Sequence, residues 1–248
     1  DGLLKVDKEK LNAVNGLGQI VIASRHGNFP VKKGDKVAGM RVVPLVIEEE
    51  KMQKACEVAG KEPTFRILPY QKKKAGIVTT GSEVYYHRIE DKFTPVVIEK
   101  LKECGVTEVK QIQCNDDHEM IMEAIQTLIE DGSDLIVCTG GMSVDPDDRT
   151  PLAIKNACTE VVTYGAPVLP GAMFMLAYCE KEGRQIPVMG LPGCVMYAKR
   201  TIFDLVLPRI MCDEKLHEKD FRLLGQGGLC LSCPVCTFPN CGFGKGGY

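Results

Sequence analysis

The chain has 248 residues, enough for one large domain or for a medium-sized domain with small attachments. Its composition of 44% hydrophobic and 26% charged residues is ordinary for a globular protein, and a formal net charge of -2 gives no basic field that would favour nucleic acid. The apolar runs are shorter than the roughly 20 residues that span a bilayer, and the charged first ten residues do not resemble a signal peptide. We therefore expect a cytoplasmic protein without membrane or nucleic-acid partners.

Residues 1 to about 70 predict a small β-rich attachment that carries one helix. Segments 19–24 and 36–47 are rich in β-branched residues, and Gly, Asn, Pro and Asp between them favour turns. A charged helix is expected from Glu48 to Ala59. Residues 61–74, with two prolines and a lysine run, are typical of a linker.

From Ala75 to about residue 212, strand and helix patterns alternate. Short apolar or β-branched runs predict strands at 75–81, 109–114, 133–141, 160–165 and 186–193. Helices are expected at 94–105, 116–130, 151–158, 171–183 and 195–210. This alternation predicts an α/β fold with three layers, in which helices cover both faces of a mostly parallel sheet.

Two of the helix starts are expected at specific capping residues. Thr94 precedes Pro95, a residue favoured at the first helical position. Asp116 and Glu119 have the spacing of a capping box.

Four loops lie where the predicted strands end, at 79–83, 115–117, 139–148 and 190–193. Ligands of open parallel sheets bind beyond the carboxyl ends of the strands, so these loops are expected to share one binding site. The coincidence of four such loops is a stronger indication than any one of them. The candidate binding residues are Thr80, Gly81, Glu83, Thr139, Gly140, Gly141, Ser143, Pro192 and Gly193.

The loop that begins at Thr139 is the most informative of the four. Gly140 and Gly141 let the backbone approach a ligand closely and direct successive N–H groups at an anion. Ser143 adds a hydroxyl donor, and Thr139 offers another. The alternative interpretation is a tight turn from strand to helix.

An acidic string follows this loop and favours the ligand interpretation. Asp145, Asp147 and Asp148 lie on a segment stiffened by Pro146. Carboxylates beside an anion-binding turn suit a phosphorylated ligand accompanied by Mg²⁺, which prefers oxygen ligands. The alternative role of Asp148 is to cap the helix that begins near Pro151.

Acidic residues in two other loops have the same ambiguity. Glu83 can accept hydrogen bonds from an amino-substituted heterocycle or can simply be solvated. Of Asp116 and Asp117, one is expected to cap the following helix, and the other is then free for a ligand or metal.

At these loops the sequence resembles the molybdopterin-binding domain of molybdenum-cofactor biosynthesis proteins. The motifs TTGSEV, TGGMS, YGAPVLPGAMF and GLPG occur in the family's order between about Ala75 and Ile210. The resemblance implies a molybdopterin phosphate held by Gly140, Gly141 and Ser143. It also implies that Asp116, Asp145 and Asp148 act near the dithiolene, the nucleotide or Mg²⁺.

Two branches of that family, the adenylyltransferases and the molybdenumtransferases, differ in the reaction that they imply. The chain departs from the transferase pattern at residues 145–148, and Cys194 and Val195 replace the usual Asn-Pro. The resemblance therefore implies molybdopterin binding more directly than it implies one particular reaction. The leading hypothesis is an enzyme that inserts molybdate or tungstate into adenylated molybdopterin and releases AMP. The alternatives are a non-catalytic molybdopterin carrier or sensor and a nucleotide-hydrolysing relative.

The resemblance also implies partners and an assembly. Molybdopterin or its adenylate is the expected ligand, and other cofactor-assembly proteins are expected to contact the chain. Related proteins imply a homodimer or homotrimer.

The segment 225–248 is a tail rich in Cys and Gly. It contains Cys230, Cys233, Cys236 and Cys241, four of the chain's 12 cysteines, with C-x2-C-x2-C-x4-C spacing. Thiolate sets as compact as this bind Zn²⁺ or an iron–sulfur cluster. The alternative is a flexible tail whose thiols are incidental. We expect a metal here and leave its identity open.

Overall fold

The computed structural model describes residues 1–143, 145 and 148–246, which divide into two compact units. The first unit comprises residues 1–70, and the second begins at Gln71. Among the described residues, no helix combines the length and apolar character needed to cross a bilayer.

The first unit contains two small antiparallel sheets and two helices. Its elements are β1 (Gly2–Val6), α1 (Lys8–Gly16), β2 (Ile20–Ser24), β3 (Phe29–Val31), β4 (Ala38–Val42), α2 (Glu49–Ala59) and β5 (Phe65–Pro69). β1 is the centre of a three-stranded sheet between β3 and β5, and β2 pairs with β4. Val14 of α1, Ile20 of β2 and Ala55 of α2 form a small core.

The prediction of a linker at 61–74 was wrong, because Phe65–Pro69 forms β5. Leu4 of β1 lies opposite Ile67 in antiparallel register. Pairing with β1 gives this segment backbone hydrogen-bond partners, and the proline at its last position does not interrupt the ladder. Helix α1, which begins after the Asp7 cap, was also missed.

The second unit alternates strands and helices as predicted, with three differences described below. Its strands are β6 (Lys74–Thr80), β7 (Glu108–Cys114), β8 (Leu135–Thr139), β9 (Glu160–Tyr164), β10 (Met175–Lys181) and β11 (Arg184–Leu191). Its helices are α3 (Ser82–Tyr85), α4 (Phe93–Glu103), α5 (His118–Glu130), α6 (Thr150–Ala157), a 3₁₀ helix (Gly193–Met196), α7 (Ile202–Ile210) and α8 (Glu218–Arg222).

The six strands form one sheet in the order β7-β6-β8-β11-β10-β9. β7, β6, β8 and β11 are parallel, whereas β10 is antiparallel to both of its neighbours. Ile136 and Cys138 of β8 pack in a core cluster with residues of α5 and α6. Leu135 and Val137, which point to the opposite face, are also fully buried. The prediction of a mostly parallel sheet covered on both faces is therefore confirmed.

The first difference is that residues 171–183 do not form the predicted helix. Met175–Lys181 is strand β10, which forms a hairpin with β11. The two turn residues, Glu182 and Gly183, both have positive φ, as in the turns that suit the twist of antiparallel strands. Met, Leu and Ala favour helices, but here cross-strand pairing and burial override that preference.

The second difference concerns where the helices begin. Asp91 Oδ1 accepts hydrogen bonds from the amides of Phe93 and Thr94, so α4 starts one residue before the predicted cap. Asp117, not Asp116, caps α5 through the amide of Met120.

The predicted closing helix at 195–210 is interrupted. A 3₁₀ helix ends at Met196, and α7 starts only after the Thr201 cap. Thr201 and Asp204 form a capping box, which sets a new helix start inside the predicted one.

A buried ion pair joins α4 to the start of α7. Lys100 Nζ lies 2.7 and 2.9 Å from the two carboxylate oxygens of Asp204, whose side chain is 3% exposed. The carboxylate also accepts hydrogen bonds from Arg200 Nη1 at 2.8 Å and from the Thr201 amide at 2.7 Å. Lys100 donates in addition to the carbonyl of Lys199. The segment 199–201 is therefore held by Lys100 of α4 and by Asp204 of α7.

We expect Asp204→Ala to lower the free energy of unfolding by about 3–5 kcal/mol, because it leaves Lys100 buried without its counter-charge. Urea unfolding followed by circular dichroism measures the loss. Glu218→Ala is the control, since it removes a surface pair with Arg222 in which both side chains are more than half exposed. The control should lose less than about 1 kcal/mol. Equal losses in the two variants would contradict the role of the buried pair.

Candidate functional site

The carboxyl ends of the parallel strands meet at one edge of the sheet. Thr79 of β6 lies opposite Thr139 of β8, and Thr139 lies opposite Leu191 of β11. Cys114, the last residue of β7, pairs with Thr80. The four loops that follow these strands therefore lie along the same edge, as the sequence predicted.

A crevice of about 800 Å³ opens at this edge, within the range of small-molecule sites. It is lined by Thr79, Thr80, Val84, Ile89, Glu90, Asp91, Lys92, Phe93, Thr139, Gly140, Met196 and Tyr197. Its walls thus combine threonine hydroxyls, a glycine turn, charged side chains and aromatic rings.

Buried threonines at the ends of β6 and β8 contribute to the wall of the crevice. Thr80 Oγ1 donates to the carbonyl of Thr139 at 3.1 Å and lies 3.2 Å from Thr150 Oγ1. Thr139 Oγ1 is buried, and among the described residues it has no hydrogen-bond partner. An unsatisfied buried hydroxyl costs about 1–3 kcal/mol. A ligand atom in the crevice that bonds to this hydroxyl would recover that cost.

The turn after Thr139 requires glycine at two successive positions. Gly140 has φ +88°, and a Cβ there would lie 2.3 Å from the carbonyl oxygen of Thr80. Gly141 has φ +55°, and its Cβ would lie 2.7 Å from Thr150 Oγ1. Both the backbone conformation and the close approach of neighbouring atoms therefore exclude a side chain here.

Two of the predicted acidic residues hold loops together. Asp148 Oδ2 accepts hydrogen bonds from the amide and the hydroxyl of Ser143, both at 2.6 Å. Asp116 Oδ2 accepts them from the amide and the hydroxyl of Ser82, at 2.8 and 2.7 Å. Asp148 therefore does not cap α6, and its carboxylate takes the donors that the sequence assigned to a phosphate. Of the two aspartates after β7, Asp117 caps α5, and Asp116 joins the loop after β7 to the start of α3 at Ser82.

Only some of the predicted site residues line the crevice. Thr80, Thr139 and Gly140 line it. The other predicted residues lie in the loops around it but not in its wall: Gly81, Glu83, Asp116, Gly141, Ser143, Asp145, Asp148, Pro192 and Gly193. Pro146 and Asp147 fall outside the described residues.

Sequence reasoning missed the segment that forms one wall, residues 89–93. Asp91 is the most informative member, since its Oδ2 accepts a hydrogen bond from Gln111 Nε2 at 2.9 Å. Partial burial opposes ionisation, but hydrogen bonds from Thr94, Phe93 and Gln111 hold the pKa of Asp91 below its ordinary value. An aspartate shortly before Phe-Thr-Pro is a helix-start signal, and it could have identified this residue as the cap.

Metal ligation is not preformed in the part of the chain that the structure describes. There, no three His, Cys, Asp or Glu side chains are grouped so that they could hold a metal ion. Mg²⁺ commonly uses only one or two protein carboxylates and takes its other ligands from water and substrate phosphates. The aspartates of these loops are compatible with that kind of site.

Comparison with protein families identifies the region that carries the crevice. A family model described as "Probable molybdopterin binding domain" matches residues 76–211, more than half of the chain.

Curated relatives match a shorter region. A CinA-like protein of Mycobacterium tuberculosis (strain ATCC 25618 / H37Rv) is 35% identical over 85 residues, which is 34% of this chain and 20% of that protein. A CinA-like protein of Mycobacterium avium (strain 104) is 34% identical over 95 residues, covering 38% and 22%. The chain thus matches about a fifth of the length of these relatives.

Two solved structures illustrate the similarity in three dimensions. The tungsten cofactor synthesizing protein MoaB from Pyrococcus furiosus has a TM-score of 0.44 and 22% identity, over 50% of this chain and 84% of that one. The molybdopterin biosynthesis enzyme MoaB from Thermus thermophilus has a TM-score of 0.45 and 19% identity, over 57% and 98%.

We expect Gly140→Ala to destabilise the chain more than Gly132→Ala does. The two glycines have nearly the same φ, +88° and +86°, but an added Cβ meets Thr80 only at position 140 and meets nothing at position 132. The control isolates the cost of φ, about 1 kcal/mol. Overpacking against Thr80 should add about 1–3 kcal/mol in urea unfolding. Equal losses in the two variants would show that contact with Thr80 adds no cost at position 140.

Proposed function

The chain belongs to the probable molybdopterin binding domain family, and we propose that its crevice binds molybdopterin or adenylated molybdopterin for molybdenum-cofactor biosynthesis. The observation that carries this proposal is the unsatisfied Thr139 hydroxyl beside the Gly140 turn. Both lie in the crevice and within the matched region. A polar, phosphorylated heterocycle supplies both an acceptor for the hydroxyl and an anion for the turn.

In this proposal the phosphate of molybdopterin takes the donors of Ser143. The amide and hydroxyl of Ser143 already converge on one carboxylate oxygen of Asp148, an arrangement that supports a role in binding an anion. In this proposal a phosphate displaces Asp148, and one or two of the carboxylates of Asp116, Asp145 and Asp148 then hold Mg²⁺. Mg²⁺, when bound, neutralises phosphate charge.

The proposed reaction is insertion of molybdate or tungstate with release of AMP. Water or an oxygen of the oxyanion attacks a phosphorus of the phosphoanhydride bond in adenylated molybdopterin, and that bond breaks with loss of AMP. The two dithiolene thiols then replace oxo ligands of the oxyanion, which leave as water with the thiol protons. The chain's part is to position the two substrates and to offset their charge. No covalent nucleophile is required, and burial raises the pKa of the Cys194 thiol beside the crevice, which disfavours its thiolate.

An anaerobic incubation of the full chain tests this function. Molybdopterin should co-elute with the chain in gel filtration, and adenylated molybdopterin with Mg²⁺ and molybdate should yield AMP at a rate that depends on molybdate. Tight binding without AMP release would support a carrier and refute insertion. Hydrolysis of ADP-ribose without retention of molybdopterin would refute the whole proposal in favour of a nucleotide hydrolase.

Thr139→Val separates the ligand role of this hydroxyl from a structural one. Removing an unsatisfied buried hydroxyl should raise the free energy of unfolding by about 1 kcal/mol. The same change should weaken molybdopterin binding about 3- to 10-fold, the value of one hydrogen bond. Urea unfolding and equilibrium binding measure the two effects.

The matched control is Thr80→Val. Its hydroxyl bonds to Thr139 and Thr150, so this variant should lose about 1 kcal/mol of stability instead of gaining it. A Thr139→Val protein that is less stable, or that binds molybdopterin as tightly as the unchanged chain, would exclude the hydroxyl as a ligand contact.

A further inference from the structure

A second cavity, of about 540 Å³, lies under the cysteine-rich tail. Cys230, Cys233, Cys236 and Cys241 all line it, and all four are free thiols. We call it the tail cavity. The crevice described above has none of these cysteines in its wall, so the tail cavity is a separate place in the fold.

Both ends of the cysteine segment are anchored to the rest of the unit. The amide of Leu169 donates to Gly228, and the amide of Cys230 donates back to Leu169, both at 2.8 Å. At the other end, Gly244 donates to the carbonyl of Gly227 at 2.9 Å, and Phe243 is only 3% exposed. Cys230 and Cys241, which adjoin these anchors, are therefore half-buried.

The stretch between the anchors is exposed. Leu231 and Val235 are 77% and 76% exposed, and Cys233 and Cys236 are exposed as well. Lys199 Nζ donates to the carbonyl of Pro234 at 3.2 Å. Exposed apolar side chains contribute no burial energy to the present conformation of this stretch. A rearrangement of the stretch therefore loses little stabilisation.

We propose that the tail cavity binds a thiophilic metal centre through the thiolates of Cys230, Cys233, Cys236 and Cys241. The spacing is short enough for the four sulfurs to reach one centre, either a single ion such as Zn²⁺ or an iron–sulfur cluster. The anchored pair, Cys230 and Cys241, provides the fixed ligands. The exposed pair, Cys233 and Cys236, closes onto the metal from outside.

This order of events follows from where the described residues lie. No three possible ligands are grouped for a metal within the described ranges, so side chains of the set must move before it is complete, and the exposed pair has the most freedom to do so. Metal binding then orders the segment and releases thiol protons, the usual coupling of binding to folding in small thiolate sites.

The wall of the tail cavity offsets the charge of such a centre. Four thiolates around a divalent ion carry a net charge of about −2, and Lys199 and Arg200 both line the cavity. Arg200 stacks over the Phe238 ring at 5.2 Å and is held by Glu103 and Asp204. Both cations therefore lie in the wall of the tail cavity, and of the two, Arg200 already has its charge paired with carboxylates.

Metal titration of the reduced full chain tests the proposal. Under anaerobic conditions, Co²⁺ should bind at one ion per chain with the near-ultraviolet absorption of thiolate-to-metal charge transfer, and Zn²⁺ should displace it. A parallel incubation with ferrous iron and sulfide distinguishes a cluster from a single ion. Formation of either centre supports the thiolate site, and the absence of both overturns it.

Variants identify the ligands. Cys233→Ser combined with Cys236→Ser should weaken Co²⁺ binding by more than about 100-fold, because a thiolate site loses affinity steeply when half of its ligand set is removed. These side chains are exposed, so folding should be unchanged by circular dichroism. The matched control, Cys56→Ser with Cys212→Ser, should bind as the unchanged chain does. Binding that survives in the first variant would overturn the ligand assignment.

Hydrogen exchange gives a readout that is independent of absorption. Amides between residues 231 and 237 should exchange at least about 10-fold more slowly with metal bound, whereas those of α5 should not change. Metal binding without this protection would place the ion elsewhere on the chain.

Discussion

The parallel register of β6, β8 and β11 is the constraint on which the candidate site depends. Thr79, Thr139 and Leu191 are aligned across three strands. The parallel strands end at the same edge of the sheet, so their loops converge there although they are far apart in the sequence. Long-range side-chain hydrogen bonds, such as that between Ser82 and Asp116, then join these loops. The cost is close packing of backbones, and only glycine fits at position 140, because β6 leaves no room there for a single added carbon. The register of the parallel strands therefore determines where the candidate site lies, and the polar residues of the loops determine its chemistry.

The segment 194–200 connects the two cavities. Tyr197 lines both the crevice and the tail cavity, and Lys199 and Arg200 line the tail cavity. The Lys100–Asp204 pair fixes this segment at its end, through the Lys199 carbonyl and the Arg200 guanidinium. Buried ion pairs often contribute little net stability compared with apolar packing. Here the pair also specifies the conformation of a wall that two cavities share.

The sequence allowed the sheet and the four loops to be predicted because β-branched runs and strand-end glycines are local signals. Thr80, Thr139 and Gly140 were found in this way. Strand β10 was missed because its helix-favouring residues are overridden by pairing with β11, a contact that local composition does not contain. Asp91 was missed for a related reason: it precedes α4, while its position in the crevice depends on Gln111 of the neighbouring strand.

The loop at Ser143 shows why geometry and residue type must be combined. A serine after two glycines suggests an anion site, and the structure has an anion there, supplied by Asp148 of the same loop. The Asp148 carboxylate thus gives the amide and the hydroxyl of Ser143 a hydrogen-bond partner within the loop itself. In the proposed complex, phosphate binding at Ser143 would therefore exchange one anion for another. The oxygens of a phosphate can accept the same two hydrogen bonds, so under the proposed function this loop would favour a charged ligand.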